Sequence, residues 1–450
     1  MTRSVAAALA LVSVFVTGSV VAQPAPPALP PLSNPVEALR EHPLAEIEAL
    51  AQKDDPVALT ALGQMLNEGD SIDIDHARAS ILLKKAADAG NADAVLSLGE
   101  ARAEGWDGPA DYAAAMTLYR KAAAMGSSDA MAAIGQLYER GNGVTRDYAQ
   151  AMSWYQKAED AHNIHAPDDI ATLYRDGKGV PQDYARAAAV YQSGADRGNG
   201  ISWEYLGYMY QTGKGFTKDE TKAIELFRQG AQAHFPSGSM ASLGNVYWEG
   251  KGVAVDDAEA VKWYHLAAGQ GSRWGAYRLA IALETGRGVD IDLAESRHWM
   301  TLSANKRLVA AQLHLGNMYA QGLGVPVDKA QAFKWYQAAA DQKDKGAIGV
   351  LAYAYMHGIG TPVDEKKGVS LMTDAARHGD RSAQSDLGYY YEHGEGVAVD
   401  TTAALTWYLI AAKAGNSFDQ AAADKLKAGM DAGQVSKATA DAQAFKPLEE

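Results

Sequence analysis

A fixed period constrains this chain more than any other feature. The first glycine of a short turn recurs as Gly69, Gly105, Gly141, Gly177, Gly213, Gly250, Gly286, Gly322, Gly358 and Gly394, each step being 36 residues except Gly213 to Gly250, which is 37. Six residues after each glycine stands an aspartate: Asp75, Asp111, Asp147, Asp183, Asp219, Asp256, Asp292, Asp328, Asp364 and Asp400. Six residues before each glycine comes a small residue, such as Gly63, Gly135, Ala171, Gly244 or Gly316. Three slots that keep one register through ten copies define a repeat array, in which each unit buries its apolar face against its neighbours.

Within a copy, the apolar and small residues ahead of the turn follow a helical spacing. Ala130, Ile134, Gly135 and Tyr138 show it in the third repeat, and Ala311, Leu315, Gly316 and Tyr319 in the eighth. This period of 3.6 predicts a helix (A) with one face on the core. From the third repeat onward Gly-x-Gly ends helix A, because glycine adopts the left-handed conformation of a helix terminus without steric cost. The aspartate then caps a second helix (B), accepting from open N–H groups at the positive end of the dipole. Helix B carries a small residue four positions on (Ala151, Ala260, Ala332) and aromatics beyond it (Trp154-Tyr155, Trp263-Tyr264, Trp335-Tyr336, Trp407-Tyr408), so small meets large across the hairpin.

The succession Leu-Gly-x-x-Tyr, Gly-x-Gly-Val, Asp-Tyr-x-x-Ala, Trp-Tyr and Ala-Ala resembles the Sel-one-like repeat, a relative of the tetratricopeptide repeat. The resemblance runs from about Ala45 to the C-terminus. It implies an all-α, right-handed α/α superhelix of ten helix-turn-helix repeats over 57–416, with a capping helix at 43–56 and closing helices and tail over 417–450. One subgroup of that family staples each hairpin with a disulfide; this chain has no cysteine.

Three copies depart from the pattern. Pro167 and Asp168-Asp169 occupy the start of helix A in the fourth, the extra residue of the sixth falls among His234-Phe235-Pro236-Ser237-Gly238, and Thr361-Pro362 alters the ninth turn.

At the N-terminus, Arg3, a largely apolar run from Val5 to Val16 and the small residues before Gln23 describe a secretory signal over residues 1–22, cleaved after Ala22. An uncleaved membrane anchor is the alternative, since the run approaches a spanning length. Without cysteine the protein is not a lipoprotein. The expectation is a periplasmic or secreted monomer with no membrane span after cleavage. Residues 23–42, rich in proline, form an extended spacer. Removing Arg3 takes the formal charge from −14 to −15 (40 Lys and Arg against 55 Asp and Glu), and such a chain repels phosphate backbones. Nucleic acid is therefore not a partner.

The polar residues do not assemble a catalytic motif. Gly177-Lys178-Gly179 and its counterparts lack the upstream glycine and following Ser/Thr of a phosphate loop and come after a helix. Ser303-Ala304-Asn305-Lys306 matches Ser-x-x-Lys by letters but lacks its companion motifs, which leaves a β-lactam-related hydrolase a distant third reading. His162 and His165 lack an evident carboxylate partner. His357 and His393, in one slot of successive repeats, are set too far apart to share a metal. The sequence thus predicts no enzyme, no metal and no cofactor.

What remains is surface. Taking the small residue of helix A as zero, slots −3, +1 and +4 lie opposite the core and would line the concave face of a solenoid. In the first four repeats this stripe reads mostly polar or small: Thr60, Gln64, Asn67, Glu100, Ala103, Gln136, Glu139, Asp168, Thr172 and Arg175. From the fifth onward it gains Tyr208, Trp248, Tyr277, Tyr353, Met356 and Tyr389. These are the candidate partner-binding residues; packing between neighbouring A helices is the competing explanation. The sequence predicts an exported scaffold that binds a protein or peptide through this face, in envelope regulation or assembly, with a glycan or cell-wall ligand in the same groove as the alternative.

Overall fold

The computed structural model describes residues 34–448, apart from 41, 70, 71, 107 and 414–416. The expected signal and most of the proline-rich segment lie outside the described residues. Among those described are 24 α-helices and no strand, and none of the helices is long and apolar enough to cross a membrane. The protein is an all-α helical solenoid.

The chain divides into two compact units, Met1–Ser239 and Met240–Glu450. In the first, helices Pro35–Arg40 and Leu44–Ala51 precede repeats one to five; in the second, the remaining repeats are followed by helices Ser417–Lys427 and Ala432–Ala444. In each unit a helix A packs on its own helix B, and each B on the next A.

Turn chemistry explains the regularity. The first glycine of every turn has a φ between 65° and 79°, a left-handed value that side chains resist. A Cβ at Gly250 would also lie 2.8 Å from Val255 Cγ2, which rests on that glycine. Each of the ten aspartates then accepts from a backbone N–H of helix B, as Asp147 does from Ala149 and Gln150 at 2.9 and 3.0 Å. Asp147→Ala or Asp328→Ala should therefore cost about 0.5–2 kcal/mol of stability and leave partner binding alone. Lost binding in a variant that melts normally would give the aspartates a functional role instead.

The core uses the small-to-large pairing. A Cβ on Gly135 would meet the Tyr155 ring at 2.5 Å, and one on Gly244, Gly316 or Gly388 would meet Tyr264, Tyr336 or Tyr408 at 2.4 to 2.6 Å. Tyr155 and Tyr264 are fully buried, so in these repeats glycine is what lets helix B close on helix A.

Three local details depart from the regular pattern. Residues 35–40, taken as part of the extended spacer, are helical: Pro35 starts the helix, Asn34 Oδ1 accepts from Val36 N at 2.8 Å, and Val36 is buried at 1% exposure against the first repeat. A proline in the first turn loses no intrahelical hydrogen bond, so local composition underestimated this helix. In the sixth repeat the extra residue is taken up by Phe235 at φ 56°. His234 bridges back to the preceding turn, with His234 N on Gly198 O at 3.0 Å and Gly200 N on His234 O at 2.8 Å. In the fourth, Asn163 rather than His165 caps helix Ala166–Asp176, its Oδ1 accepting from His165 N and Ala166 N at 2.9 Å.

Candidate functional site

The outer stripe of helix A is narrower than helical geometry alone implies. Slot −3 is turned into inter-repeat contacts in several copies, and Thr60 and Asp168 are buried at 0% and 7% exposure; Asn67, in slot +4, is at 6%. Slot +1 is never buried in ten repeats, and slot +5, one turn further on, is exposed in all ten. A helix flanked by two neighbours and backed by its partner has only this strip left for solvent.

The polar residues expected on the stripe that are buried have local partners. Asp168 accepts from Asn199 Nδ2 at 2.7 Å and from Ser202 Oγ. Its neighbour Asp169 has Oδ2 buried without a hydrogen bond. Burial pushes the carboxyls of Asp168 and Asp169 up to about 7, since a charge in low dielectric is costly; the half-buried Glu100 rises to about 7 as well, through desolvation and the charges of Glu68, Asp129 and Glu104.

The aromatic candidates separate into packed and open rings. Tyr208, in the first unit, is half-buried with its ring edge-on to Phe227 at 5.4 Å between centroids. In the second unit Trp248 is half-buried, meets Tyr264 at 5.9 Å and lies under the Arg287 guanidinium at 3.7 Å, which also bonds Asp257 and the Trp248 carbonyl. Tyr277 is half-buried beside Trp274 and His314. Met356 is a correction: at 5% exposure it belongs to the core. Gly368 stands where most copies have alanine and leaves room that the flexible Met356 side chain fills, since a Cβ there would be 2.6 Å from Met356 Cγ.

Tyr353 and Tyr389 are the two open rings, 49% and 43% exposed, both in slot +1. They stand on helices Lys345–His357 and Arg381–His393, which touch directly. Each ring pairs with the histidine four residues on. Tyr353 and His357 have centroids 4.1 Å apart, and Tyr389 stacks on His393 at 4.2 Å and 24°. The Tyr389 hydroxyl donates to Glu395 Oε1 at 3.1 Å, which raises its pKa, and His393 Nδ1 lies 3.0 Å from Tyr389 O. Only the ninth and tenth repeats carry tyrosine at +1 with histidine at +5. The sequence weighed those histidines as a metal pair, too far apart to serve; the i, i+4 spacing that puts them on the tyrosines was the available signal.

A second feature, in the first unit, was not legible beforehand. A cavity of about 360 Å³ is lined by Glu37, Asp93, Asp129, His162, His165 and His234, among others. Burial, with the Asp129 charge adding, raises Glu37 and Asp93, and burial lowers His165. These residues come from four repeats and the N-terminal helix, so no local spacing announces them. Among the described residues no group of three His, Asp or Glu is placed to hold a metal ion.

The fold and these surfaces define a class: a helical-hairpin repeat scaffold whose distinctive residues are on its outer faces. Ten segments between residues 56 and 416 match the Sel1 repeat, among them 128–163 and 381–416, and the chain belongs to the Sel1 repeat family, whose members generally act as scaffolds for protein–protein contacts. A protective antigen of uropathogenic Escherichia coli displaying an SLR fold is 26% identical, with 90% of this chain and 94% of that one covered at a TM-score of 0.38. A Sel1 repeat protein from Oxalobacter formigenes is 30% identical over 55% of this chain and 99% of its own, at 0.44. Immunity protein Pa5087 from Pseudomonas aeruginosa is 21% identical over 48% and 81%, at 0.39. No curated protein matches the sequence.

Proposed function

We propose that this protein is an exported adaptor that holds an extended segment of a protein partner on the outer stripe of helix A in its last repeats, serving regulation or assembly in the cell envelope. The observation that carries this reading is the pair of open rings, Tyr353 and Tyr389, in equivalent slots of adjoining helices. Large rings are ordinarily buried, and side chains held rigid by a neighbour give up little entropy when a partner covers them. Export rests on the composition of residues 1–22.

The test is crosslinked partner capture from an envelope extract by the Tyr353→Ala, Tyr389→Ala double variant, after its helicity and melting curve match the parent. Loss of true anchors should cost about 2 kcal/mol or more of binding. Gln136→Ala and Thr172→Ala, on the polar stretch of the stripe, should hardly matter. Undiminished capture by the folded double variant would move the site to another surface.

A further inference from the structure

The two open rings also carry geometry that selects a ligand. Because Tyr353 and Tyr389 occupy one slot on two helices in direct contact, their separation follows the spacing of packed helices, about 8–10 Å. A peptide engaging both must present equivalent side chains at that interval and on one side. Same-face residues in a β-strand recur at about 6.6–6.8 Å, and a three-residue step, though close to 10 Å, puts the side chains on opposite faces. An α-helix repeats its face at about 5.4 Å and, two turns on, at about 10.8 Å, on either side of that interval. A polyproline II helix has three residues per turn at 3.1 Å each, so a residue returns to the same side every 9.3 Å or about that.

The chemistry around the rings agrees. Each tyrosine is held by its histidine, so the platform is formed before a ligand arrives. Aromatic platforms of this kind suit proline-rich segments, which are already extended and lose little freedom on docking. The rim is acidic. Glu395 accepts from the Tyr389 hydroxyl, and Glu392 accepts from the Tyr408 hydroxyl at 3.0 Å. Asp386 is raised by burial and by the carboxylates of Asp380 and Asp419, against which His357 works in the opposite direction, so its ionised form is disfavoured on balance. A cation beside the prolines would favour that form.

From this geometry we infer that the paired Tyr353–His357 and Tyr389–His393 platform binds a proline-rich, basic peptide segment in the polyproline II conformation, one proline face per tyrosine, with the basic side chains toward Asp386, Glu392 and Glu395. The inference rests on the location of the binding surface proposed above and adds the ligand class.

The probe is a synthetic peptide of four Pro-Pro-Arg triplets, titrated onto the full-length protein by calorimetry. Controls are a peptide of four Gly-Gly-Arg triplets, of equal charge without the preset conformation, and one of four Pro-Pro-Ala triplets, without the charge. The Pro-Pro-Arg peptide should bind, more weakly as salt rises, and both controls should bind at least tenfold more weakly. Tyr389→Ala and Tyr353→Ala should each weaken the Pro-Pro-Arg peptide at least tenfold, while Tyr389→Phe, which keeps the ring, should retain most of the affinity. Equal binding of the Gly-Gly-Arg peptide would reduce the site to nonspecific charge attraction and overturn the inference. So would tyrosine-dependent binding of a chitin tetrasaccharide in place of the peptides, which would make the platform a sugar-stacking site. Absence of peptide binding overturns the ligand class alone: the adaptor reading is judged separately by partner capture with the double variant.

Discussion

Tyr155→Ala is expected to lower stability by about 3–5 kcal/mol, the range for deleting a large aromatic from a packed core. Tyr155 is fully buried, its ring covers Gly135, and its hydroxyl donates to Glu139 Oε2 at 2.7 Å. Approached from the other side, Gly135→Ala places a Cβ 2.5 Å from the ring and should cost about 1–3 kcal/mol through overpacking, even after alanine's advantage in a helix. The chain contains its own repair. In the seventh and ninth repeats the small slot is Ala280 or Ala352, and the residue twenty positions on is Met300 or Met372, whereas in the fourth Ala171 is accommodated beside the buried Tyr191. The Gly135→Ala, Tyr155→Met double variant should therefore be more stable than the sum of its single effects, because the two positions share one contact. Urea midpoints of the four proteins measure this. Strict additivity, or a Gly135→Ala variant as stable as the parent, would mean that the hairpin is not held by this pairing.

That pairing was legible because it is periodic. Ten copies show which slots vary together, so the glycine turns, the capping aspartates and the small-to-large contact follow from spacing. What spacing could not show is where repeats meet. Slot −3 has the same helical angle whether or not a neighbour covers it, and the buried Thr60 and Asp168 are determined by the adjacent repeats. Trp248 is half-covered and Met356 buried for reasons outside their own helices: an arginine 39 residues away lies over the first, and the absence of a Cβ on Gly368 admits the second. Tyr353 and Tyr389 remained open because their neighbours are histidines on the same helix, which support the rings without covering them. The short helix Pro35–Arg40 and the acidic cavity it helps line come from long-range contacts and have no counterpart in the repeat register.

The fourth repeat, where the pattern is most disturbed, should make stability fall as pH rises from about 4 to about 7. Asp168 and Asp169 are adjacent carboxyls on one buried turn. Burial raises both, and the charge of Asp168 adds to the rise of Asp169. Two donors, Asn199 and Ser202, favour the ionised form of Asp168 and oppose its rise; Asp169 Oδ2 has no such partner and is the stronger case. With folded values up to about 7 against an ordinary 3.8, the folded state holds protons that the unfolded chain has already released. The unfolding free energy then decreases with pH across that window. The stabilisation is fully present below about pH 4 and is lost as pH rises through about 7. A shift of about three units corresponds to at most about 4 kcal/mol for one group, and mutual coupling and partial exposure leave about 2–4 kcal/mol for the pair. Asp169→Asn removes the charge while keeping the shape. At pH 8 this variant should be more stable than the parent, by about 1–3 kcal/mol, and at pH 4 close to equal. Hydrogen exchange of the amides in helix Ala166–Asp176 reads the effect in its own repeat. A parent whose protection there is unchanged between pH 4 and 8, after correction for intrinsic exchange, would show that the two carboxyls ionise without penalty. A parental pH dependence that persists in Asp169→Asn would transfer the effect to Asp168 or to Glu100, which burial also raises to about 7 in the second repeat.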